Sequence, residues 1–275
     1  MKWHKHLCEY YNVTKEEAIQ LGTRSTGRKP NLPGSPTCDP VSEKTFEDIW
    51  GEKERKTTKS VFDFYKDQGA WSVFRQCVRH KDLESLHIAY LNFLSQSSVL
   101  KTNVHICEYG SGVAPFMTTF LKYLEENTKE KIKITLCDVD SEHFNFSKYR
   151  LNNIKEERKL DGISLFFEEV KPEKLPIFNS NLDVVFCFEV LEHVPSPLKA
   201  IQNITSQLNY GGLYIENFIK HDHDHHDDDG PDLASAKNER ESYYRYLNEK
   251  YTCIVPEKYS DNEPNITRIW QKKLF

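Results

Sequence analysis

The chain has 275 residues, enough for one large domain or a domain with an appendage, and enough to bury a sizeable core. Hydrophobic residues make up 38% of the chain and charged residues 29%, a balance typical of a globular protein. The formal net charge of −5 argues against a dedicated nucleic-acid binder, because such proteins neutralise phosphates with excess lysine and arginine. We therefore expect no nucleic-acid partner. We also expect no membrane partner, because no stretch approaches the ~20 apolar residues of a membrane span.

Cysteine usage and the first residues bear on the compartment. The seven cysteines are odd in number and show no close C-x-x-C pairing. Cys107, Cys137, Cys187 and Cys253 lie inside apolar runs, which favours buried, reduced thiols. No apolar run follows the charges at residues 1–6, so we expect no secretory signal peptide and a cytoplasmic location. The oligomeric state stays open.

The first hundred residues predict a helical region. Residues 14–21 form a short helix that Thr14 caps, with Glu17 three positions later as its capping-box partner. Residues 22–40 are rich in glycine, proline, serine and threonine, which indicates an irregular loop, either a surface loop or a lid over a site. Helical patterning resumes over residues 45–50 and 60–100. We therefore assign residues 1–100 to a helical cap or lid region that contains the irregular loop 22–40.

From residue 104 onward, strand patterns alternate with helix patterns. The spacing predicts strands at residues 104–109, 132–137, 163–167, 182–188, 213–218, 251–255 and 266–271. Helices fall at residues 115–126, 142–159, 198–208 and 232–250. The strand at 182–188 is almost wholly apolar, as a central parallel strand is, and the last two strands form a hairpin-like pair. Residues 101–275 therefore predict an α/β domain with a doubly wound, mostly parallel seven-stranded sheet and ligands at the carboxyl ends of its strands.

A glycine turn follows the first strand of this domain. Gly110 and Gly112 lie where the chain passes from strand to helix, and glycine lets a backbone approach a ligand closely. The helix that begins near Pro115 then offers its free N–H groups. A nicotinamide dinucleotide site needs a third small residue at the position of Pro115, so the turn disfavours that cofactor.

An acidic residue closes the second strand. Asp138 is placed to accept hydrogen bonds from both hydroxyls of a ribose, the role of the acidic residue in dinucleotide-binding folds. Asp140 is the nearby rival, and a simple helix cap is the alternative for either carboxylate. The preceding glycine turn favours a ligand role for Asp138.

The fourth strand runs into the segment D-V-V-F-C-F-E-V-L-E-H-V at residues 183–194. Together with the E-x-G-x-G turn and the acidic strand end, this segment resembles the class I S-adenosylmethionine-dependent methyltransferases. The resemblance is strongest to the group of small-molecule methylases whose fourth strand ends in E-V-L-E-H-V, and it covers about residues 100–275. It implies a Rossmann-like fold and S-adenosylmethionine as the cofactor.

The resemblance also implies roles for individual residues. Glu108 would order the methionine amino end, and Gly110 and Gly112 would border the methionine moiety. Asp138 would hold the ribose, Glu169 or its neighbour Glu168 would contact the adenine amino group, and Phe188 would line the pocket. His193 would face the active-site cleft or cap the following loop.

Two further groups of residues suggest contacts to the cofactor or the acceptor. Arg75 lies in an aromatic and basic cluster before the domain; it either reaches the methionine carboxylate or an anionic substrate, or points outward from a helix core. The histidine and aspartate run at residues 220–230 follows the fifth strand. It predicts a divalent metal site, a general base or a solvated loop. The candidate catalytic residues are His193, His221 and His223, and the candidate metal ligands are His221, His223, His225 and Asp227.

We therefore interpret the sequence as that of an S-adenosylmethionine-dependent methyltransferase acting on a small molecule. Oxygen or nitrogen is favoured over carbon as the acceptor atom, and metal assistance is one hypothesis. The alternatives are a methyltransferase acting on protein or RNA, and a catalytically inactive Rossmann-like binding protein. The sequence does not identify the acceptor.

Overall fold

The computed structural model describes residues 3–23, 57–81, 83–96, 103–124, 131–179, 181–218, 233–255 and 266–274. Much of the predicted loop 22–40, the predicted helix at 45–50 and the whole histidine and aspartate run fall outside these residues. Among the helices that are described, none has the length and apolar character needed to cross a membrane.

The described strands form one seven-stranded sheet in the order β3-β2-β1-β4-β5-β7-β6. Strands β1 to β5 pair in parallel, and β7 runs antiparallel to both of its neighbours. The strands are β1 (His105–Tyr109), β2 (Ile132–Val139), β3 (Ile163–Val170), β4 (Leu182–Phe188), β5 (Leu208–Asn217), β6 (Tyr251–Val255) and β7 (Arg268–Lys272). The doubly wound, mostly parallel sheet predicted from the sequence is confirmed.

Helices pack on both faces of the sheet and in front of it. They are α1 (Lys5–Tyr11), α2 (Lys15–Thr23), α3 (Thr58–Lys66), α4 (Gly69–His80), α5 (Glu84–Gln96), α6 (Pro115–Tyr123), α7 (Glu142–Glu157), α8 (Pro197–Ser206) and α9 (Ala234–Lys250). The backbone N–H of Glu17 donates to Thr14 Oγ1 at 3.2 Å, and Thr14 N–H donates to Glu17 Oε2 at 2.7 Å. The capping box predicted at the start of α2 is therefore present.

Several boundaries differ from the sequence pattern, and two of the differences are large. The continuous helical pattern over residues 60–100 is divided into α3, α4 and α5 by short turns. Strand β5 begins at Leu208, five residues earlier than predicted, and includes the Asn209–Gly212 stretch that resembled a helix-ending turn. The pairing of β4 with β5 shifts register between Leu182 and Val184. This irregularity lets β5 include Gly211 and Gly212 within the strand.

The core lies in two layers, one on each face of the sheet. Successive side chains of a strand point to opposite faces, so β1 contributes Cys107 and Tyr109 to one layer and Ile106 to the other. One layer includes residues of α3, α8 and α9, and the other includes residues of α5, α6 and α7. Burial on both faces explains why all five residues of β1 are inaccessible.

The N-terminal helices are attached to the sheet domain through a third apolar cluster. Leu7 of α1, Ala18 of α2 and Phe74 of α4 pack together with Val113 and Phe146 of the sheet domain. Tyr11 donates a hydrogen bond of 2.8 Å to Glu142 at the start of α7. These contacts fix α4 across the carboxyl ends of the strands. The division of the chain at residue 100 stays a prediction.

Candidate functional site

A cavity of about 910 Å³ lies at the carboxyl ends of β1, β2 and β4. Its floor includes Tyr109, Asp138 and Phe188, the last residues or near-last residues of those strands. Residues of α3, α4 and α5 line the opposite side, so the N-terminal helices roof the cavity. The structure therefore brings together the glycine turn, the acidic strand end and the tip of β4 at one place.

The glycine turn needs glycine for its backbone and for its packing. Gly110 has a φ of +69° and Gly112 a φ of +51°, both in the left-handed region that side chains disfavour. A Cβ on Gly110 would lie 2.3 Å from a methyl carbon of Val190, and one on Gly112 would lie 2.9 Å from Gln76 Oε1. At Gly110, the space that glycine leaves open is therefore filled by the chain after β4.

Asp138 supports the same turn. Its Oδ2 accepts a 2.5 Å hydrogen bond from the Gly112 N–H, and its Oδ1 accepts one of 2.6 Å from Val139. The side chain is half-buried and lines the cavity, and burial raises its pKa to about 6. The carboxylate thus joins β2 to the glycine turn and still presents lone pairs to a ligand. Its rival Asp140 is exposed and lies outside the cavity lining.

Glu108 lies beneath the turn. It is only 5% exposed, and its Oε2 accepts a 3.2 Å hydrogen bond from the N–H of Met117 in the first turn of α6. Burial raises the pKa of this carboxyl to about 8, against the opposing effect of the backbone hydrogen bonds. A cationic ligand group nearby would favour the ionised form, so the site is suited to an ammonium group.

Aromatic rings form one wall of the cavity. Phe188 stacks on Tyr90 with ring centroids 5.6 Å apart and an interplanar angle of 24°. The Tyr90 hydroxyl lies 2.6 Å from Thr267 Oγ1, which ties α5 to the segment before β7. Both rings line the cavity, so Phe188 takes the position that the sequence predicts for it.

Helix α4 contributes a polar and aromatic face to the roof. Arg75 is half-buried, lines the cavity and has its guanidinium carbon 5.6 Å from the Trp71 ring centroid. One turn further along, Arg79 donates a 2.7 Å hydrogen bond to Glu189, immediately after β4. Glu189 has a φ of +53°, and its N–H donates to Asn217 Oδ1 at 2.7 Å. The ends of β4, β5 and α4 are thereby joined at the cavity.

His193 lies in the same cavity, at the end of a 3₁₀ turn (Leu191–His193) after β4. Its ring lies 6.4 Å from the Tyr65 ring, centroid to centroid, and its Nε2 lies 4.0 Å from Glu192 Oε1. Glu192 is buried and also lines the cavity. A carboxylate at this distance stabilises the charge that the ring gains when it accepts a proton.

Not every candidate reaches the cavity. Glu169 pairs with Asp138 in the sheet register, but its side chain is exposed. Neither Glu169 nor the half-buried Glu168 is part of the cavity lining. The lining after β3 comes instead from Val170 and the loop that follows it. An adenine contact by Glu169 or Glu168 therefore stays a prediction, since neither carboxylate is part of the cavity lining.

The proposed metal ligands His221, His223, His225 and Asp227 lie outside the described residues, as do the catalytic candidates His221 and His223. Within the described part of the chain, the group with metal-ligating geometry is His6, Glu9 and Glu157. None of these three lines the cavity.

Several cavity residues had not been singled out from the sequence. The cavity is also lined by Gln68 just before α4, Gln76 and His80 of α4, Ser111 of the glycine turn and His143 of α7. Gln76 becomes a neighbour of the glycine turn only because α4 packs against it, which no local pattern reveals. His143 had a usable signal, because it lies in the first turn of the helix that follows Asp138.

The sequence matches the methyltransferase domain family over residues 79–260, about two thirds of the chain. The chain belongs to this family. The strand order and the cavity position described above agree with the resemblance of its motifs to the class I S-adenosylmethionine-dependent methyltransferases. No curated protein matches the sequence.

Solved structures of distant sequence are similar to this chain to different extents, and only the first one described here is similar enough to show the same fold. The plantazolicin methyltransferase BpumL, bound to a triazolic desmethylPZN analog and SAH, is 14% identical with a TM-score of 0.52, over 80% of this chain and 95% of that one. An S-adenosylmethionine-dependent methyltransferase from Clostridium acetobutylicum is 12% identical with a TM-score of 0.47, over 70% and 92%. YjhP from E. coli is 19% identical with a TM-score of 0.36, over 48% of this chain. The chain spans about half (47%) of the length of YjhP.

The residues present fit the cofactor that the family uses. Several buried polar atoms of the cavity lining have no hydrogen-bond partner within the described part of the chain, among them Gln68 Nε2, Trp71 Nε1, Ser111 Oγ and His143 Nε2. Each such atom costs ~1–3 kcal/mol if it stays unsatisfied, so the cavity suits a ligand with several polar groups. The residues that would hold S-adenosylmethionine are Glu108, Gly110, Gly112, Asp138, Phe188 and Arg75.

Proposed function

We propose that this methyltransferase methylates an oxygen or nitrogen atom of a small molecule. The observation that carries the proposal is the roof of α3, α4 and α5 over the cavity, which favours an acceptor that enters a pocket over one that lies on a surface. A volume of about 910 Å³ is near the upper end for small-molecule sites, which leaves room for an acceptor beside a cofactor. The net charge of −5 disfavours an RNA acceptor.

The chain's own residues have two tasks: some bind the cofactor and the acceptor, and others accept the proton that the acceptor loses. S-adenosylmethionine, when bound, supplies an electrophilic methyl group on a sulfonium centre. Glu108 would bind the amino end, Asp138 the ribose, and Arg75 either the carboxylate of the methionine end or an anionic acceptor group. Phe188 would exclude water and present a ring face to positive charge. Holding two reactants in line is the main contribution such a site makes to the rate.

His193 is the candidate general base among the described residues. An oxygen or nitrogen acceptor must lose a proton, and the imidazole of His193 faces the cavity beside the buried Glu192 carboxylate. This pairing of a base with a carboxylate that stabilises its protonated form recurs in general base catalysis. His221 and His223 stay alternative bases. A divalent metal held by His221, His223, His225 and Asp227 stays a hypothesis.

The acceptor class is tested with the untagged protein and a cofactor that carries a labelled methyl group. Panels of small hydroxyl and amine compounds, peptides and RNA are offered in parallel, with and without prior chelation and dialysis. We expect transfer to a small molecule with an oxygen or nitrogen nucleophile. Transfer confined to RNA or protein would contradict the proposal, and full activity after complete metal removal would eliminate the metal hypothesis.

A further inference from the structure

His143 is a buried side chain of the cavity lining that none of the roles above uses. It lies in the first turn of α7, is 3% exposed, and its Nε2 has no hydrogen-bond partner among the described residues. Burial lowers the pKa of the ring, and a hydrogen bond to the backbone of Ser72 in α4 opposes that shift. Since Nε2 is unpartnered, this bond belongs to Nδ1. A backbone group that favours the protonated ring is an acceptor, so Nδ1 donates to the Ser72 carbonyl.

The protonation state of the ring follows from these contacts. Burial lowers the pKa of His143 to about 4, so the imidazole is neutral near pH 7. With the single proton on Nδ1, Nε2 carries a lone pair and can only accept. His143 therefore offers the cavity a fixed hydrogen-bond acceptor, held in place by the backbone of the roof helix.

A purely structural role does not explain a histidine here. A buried polar atom that stays unsatisfied costs ~1–3 kcal/mol, and an apolar ring of similar size would fill the same space without that cost. Buried polar groups in folded proteins are nearly always satisfied, so the acceptor calls for a donor beyond the described residues, and a ligand of the cavity can supply one.

The neighbours of His143 indicate which donor. Asp138 closes β2 five residues earlier and also lines the cavity, and its carboxylate likewise offers acceptors. Ser141 lies between them and caps α7, its Oγ accepting the Phe144 N–H at 3.3 Å. Two acceptors in one cavity, one near the end of β2 and one in the first turn of the next helix, suit a ligand with two hydroxyl donors. The ribose of the methyltransferase cofactor is such a ligand.

We propose that His143 is a cofactor-binding residue whose Nε2 accepts a hydrogen bond from a ribose hydroxyl. Asp138 binds the same sugar, and the two acceptors together select a ribose with both hydroxyls. This inference rests on the assignment of the cavity to S-adenosylmethionine. It adds a residue on α7 and links cofactor binding to the roof helix through Ser72.

The test measures S-adenosylhomocysteine binding by calorimetry, together with its 2′-deoxy and 3′-deoxy analogues. The variants are His143→Leu, which has no acceptor, and His143→Gln, which keeps one. The control is His105→Leu. Like His143, His105 is a buried histidine, with 5% of its surface exposed, and its Nε2 hydrogen-bonds Thr135 Oγ1 at 2.8 Å. It lies at the far end of β1 and is not part of the cavity lining.

We expect His143→Leu to raise the dissociation constant about tenfold and to lose the discrimination against one deoxy analogue. His143→Gln should recover part of both, and His105→Leu should leave the dissociation constant unchanged even if it lowers stability. Unchanged binding in His143→Leu, or full discrimination against both analogues by that variant, would overturn the inference. Absence of binding by the wild type would instead overturn the cofactor assignment.

A measurement on the unmodified protein covers the case in which His143→Leu does not fold. The ¹⁵N signal of the His143 acceptor nitrogen should shift when S-adenosylhomocysteine is added and shift less with the deoxy analogue that lacks the bonded hydroxyl. A signal that stays constant through saturation would refute the hydrogen bond.

Discussion

Gly110→Ala separates two costs of altering the glycine turn. An alanine at φ +69° adopts the left-handed conformation at a cost of ~1–2 kcal/mol. Its Cβ also lies 2.3 Å and 2.7 Å from the two Val190 methyl carbons, an overpacking that adds roughly 1–3 kcal/mol. The total loss of folding free energy is therefore about 2–5 kcal/mol.

Gly211→Ala is the matched control. Gly211 has a φ of +75°, but no atom lies within 4 Å of the Cβ that alanine would add. This variant carries the conformational cost alone, ~1–2 kcal/mol. The difference between the two variants therefore measures the packing of Val190 against the turn.

Urea unfolding followed by tryptophan fluorescence gives both free energies, and calorimetry gives the affinity for S-adenosylhomocysteine. We expect Gly110→Ala to be the less stable variant and to bind at least tenfold more weakly, because Val190 or the turn must move. Gly211→Ala should bind as the wild type does. Equal losses of stability in the two variants would show that Val190 does not restrain the turn.

Three further perturbations probe the same site. Asp138→Ala should weaken S-adenosylhomocysteine binding by more than roughly tenfold, since it removes charge-assisted hydrogen bonds. The affinity of Asp138→Asn should fall between those of the wild type and Asp138→Ala, because the amide oxygen can still accept the Gly112 N–H. A calorimetric titration with unchanged affinity would count against the ribose assignment. The wild type should lose stability as pH rises from about 4.5 to about 8, because the raised pKa of Glu108 means that folding takes up a proton in this window. Glu108→Gln does not titrate there, so its stability relative to the wild type should increase over the same range. The gain, measured by urea unfolding across this pH range, is on the order of 5 kcal/mol at most, and a difference that does not vary with pH would exclude a buried ionisable Glu108. His193→Gln should lower kcat by roughly 10²–10⁴-fold while the dissociation constant of S-adenosylhomocysteine stays within about twofold; a full-rate enzyme would leave His193 a structural residue.

Hydrophobic patterning by itself determined most of the sheet. Strands β4 and β6 have the bounds that the sequence predicts, because a run of apolar residues ending in turn residues is a strong local signal. The order of glycine turn, acidic strand end and E-V-L-E-H-V segment was also readable, since each follows its strand directly. These features are local in the chain, so one sequence suffices to see them.

Tertiary packing decided which side chains face the cavity. Among the aromatic and basic residues of α3 and α4, Phe64 and Phe74 are buried in the core, whereas Tyr65, Trp71 and Arg75 line the cavity. Their helical spacing alone did not separate the two groups, because both faces of these helices pack against other elements. The tyrosines of α9 show the same ambiguity, and Tyr243 and Tyr244 are core residues.

The places of Glu169 and Gln76 came only from the assembled fold, whereas His143 had a local signal in its position after Asp138. Glu169 pairs with Asp138 in the register, yet its side chain is exposed while Asp138 lines the cavity. Gln76 reaches the cavity because α4 lies against the glycine turn that follows β1. The sequence determines elements and motifs through neighbouring residues, whereas the meeting of distant residues depends on how helices pack across strands, which no single segment encodes.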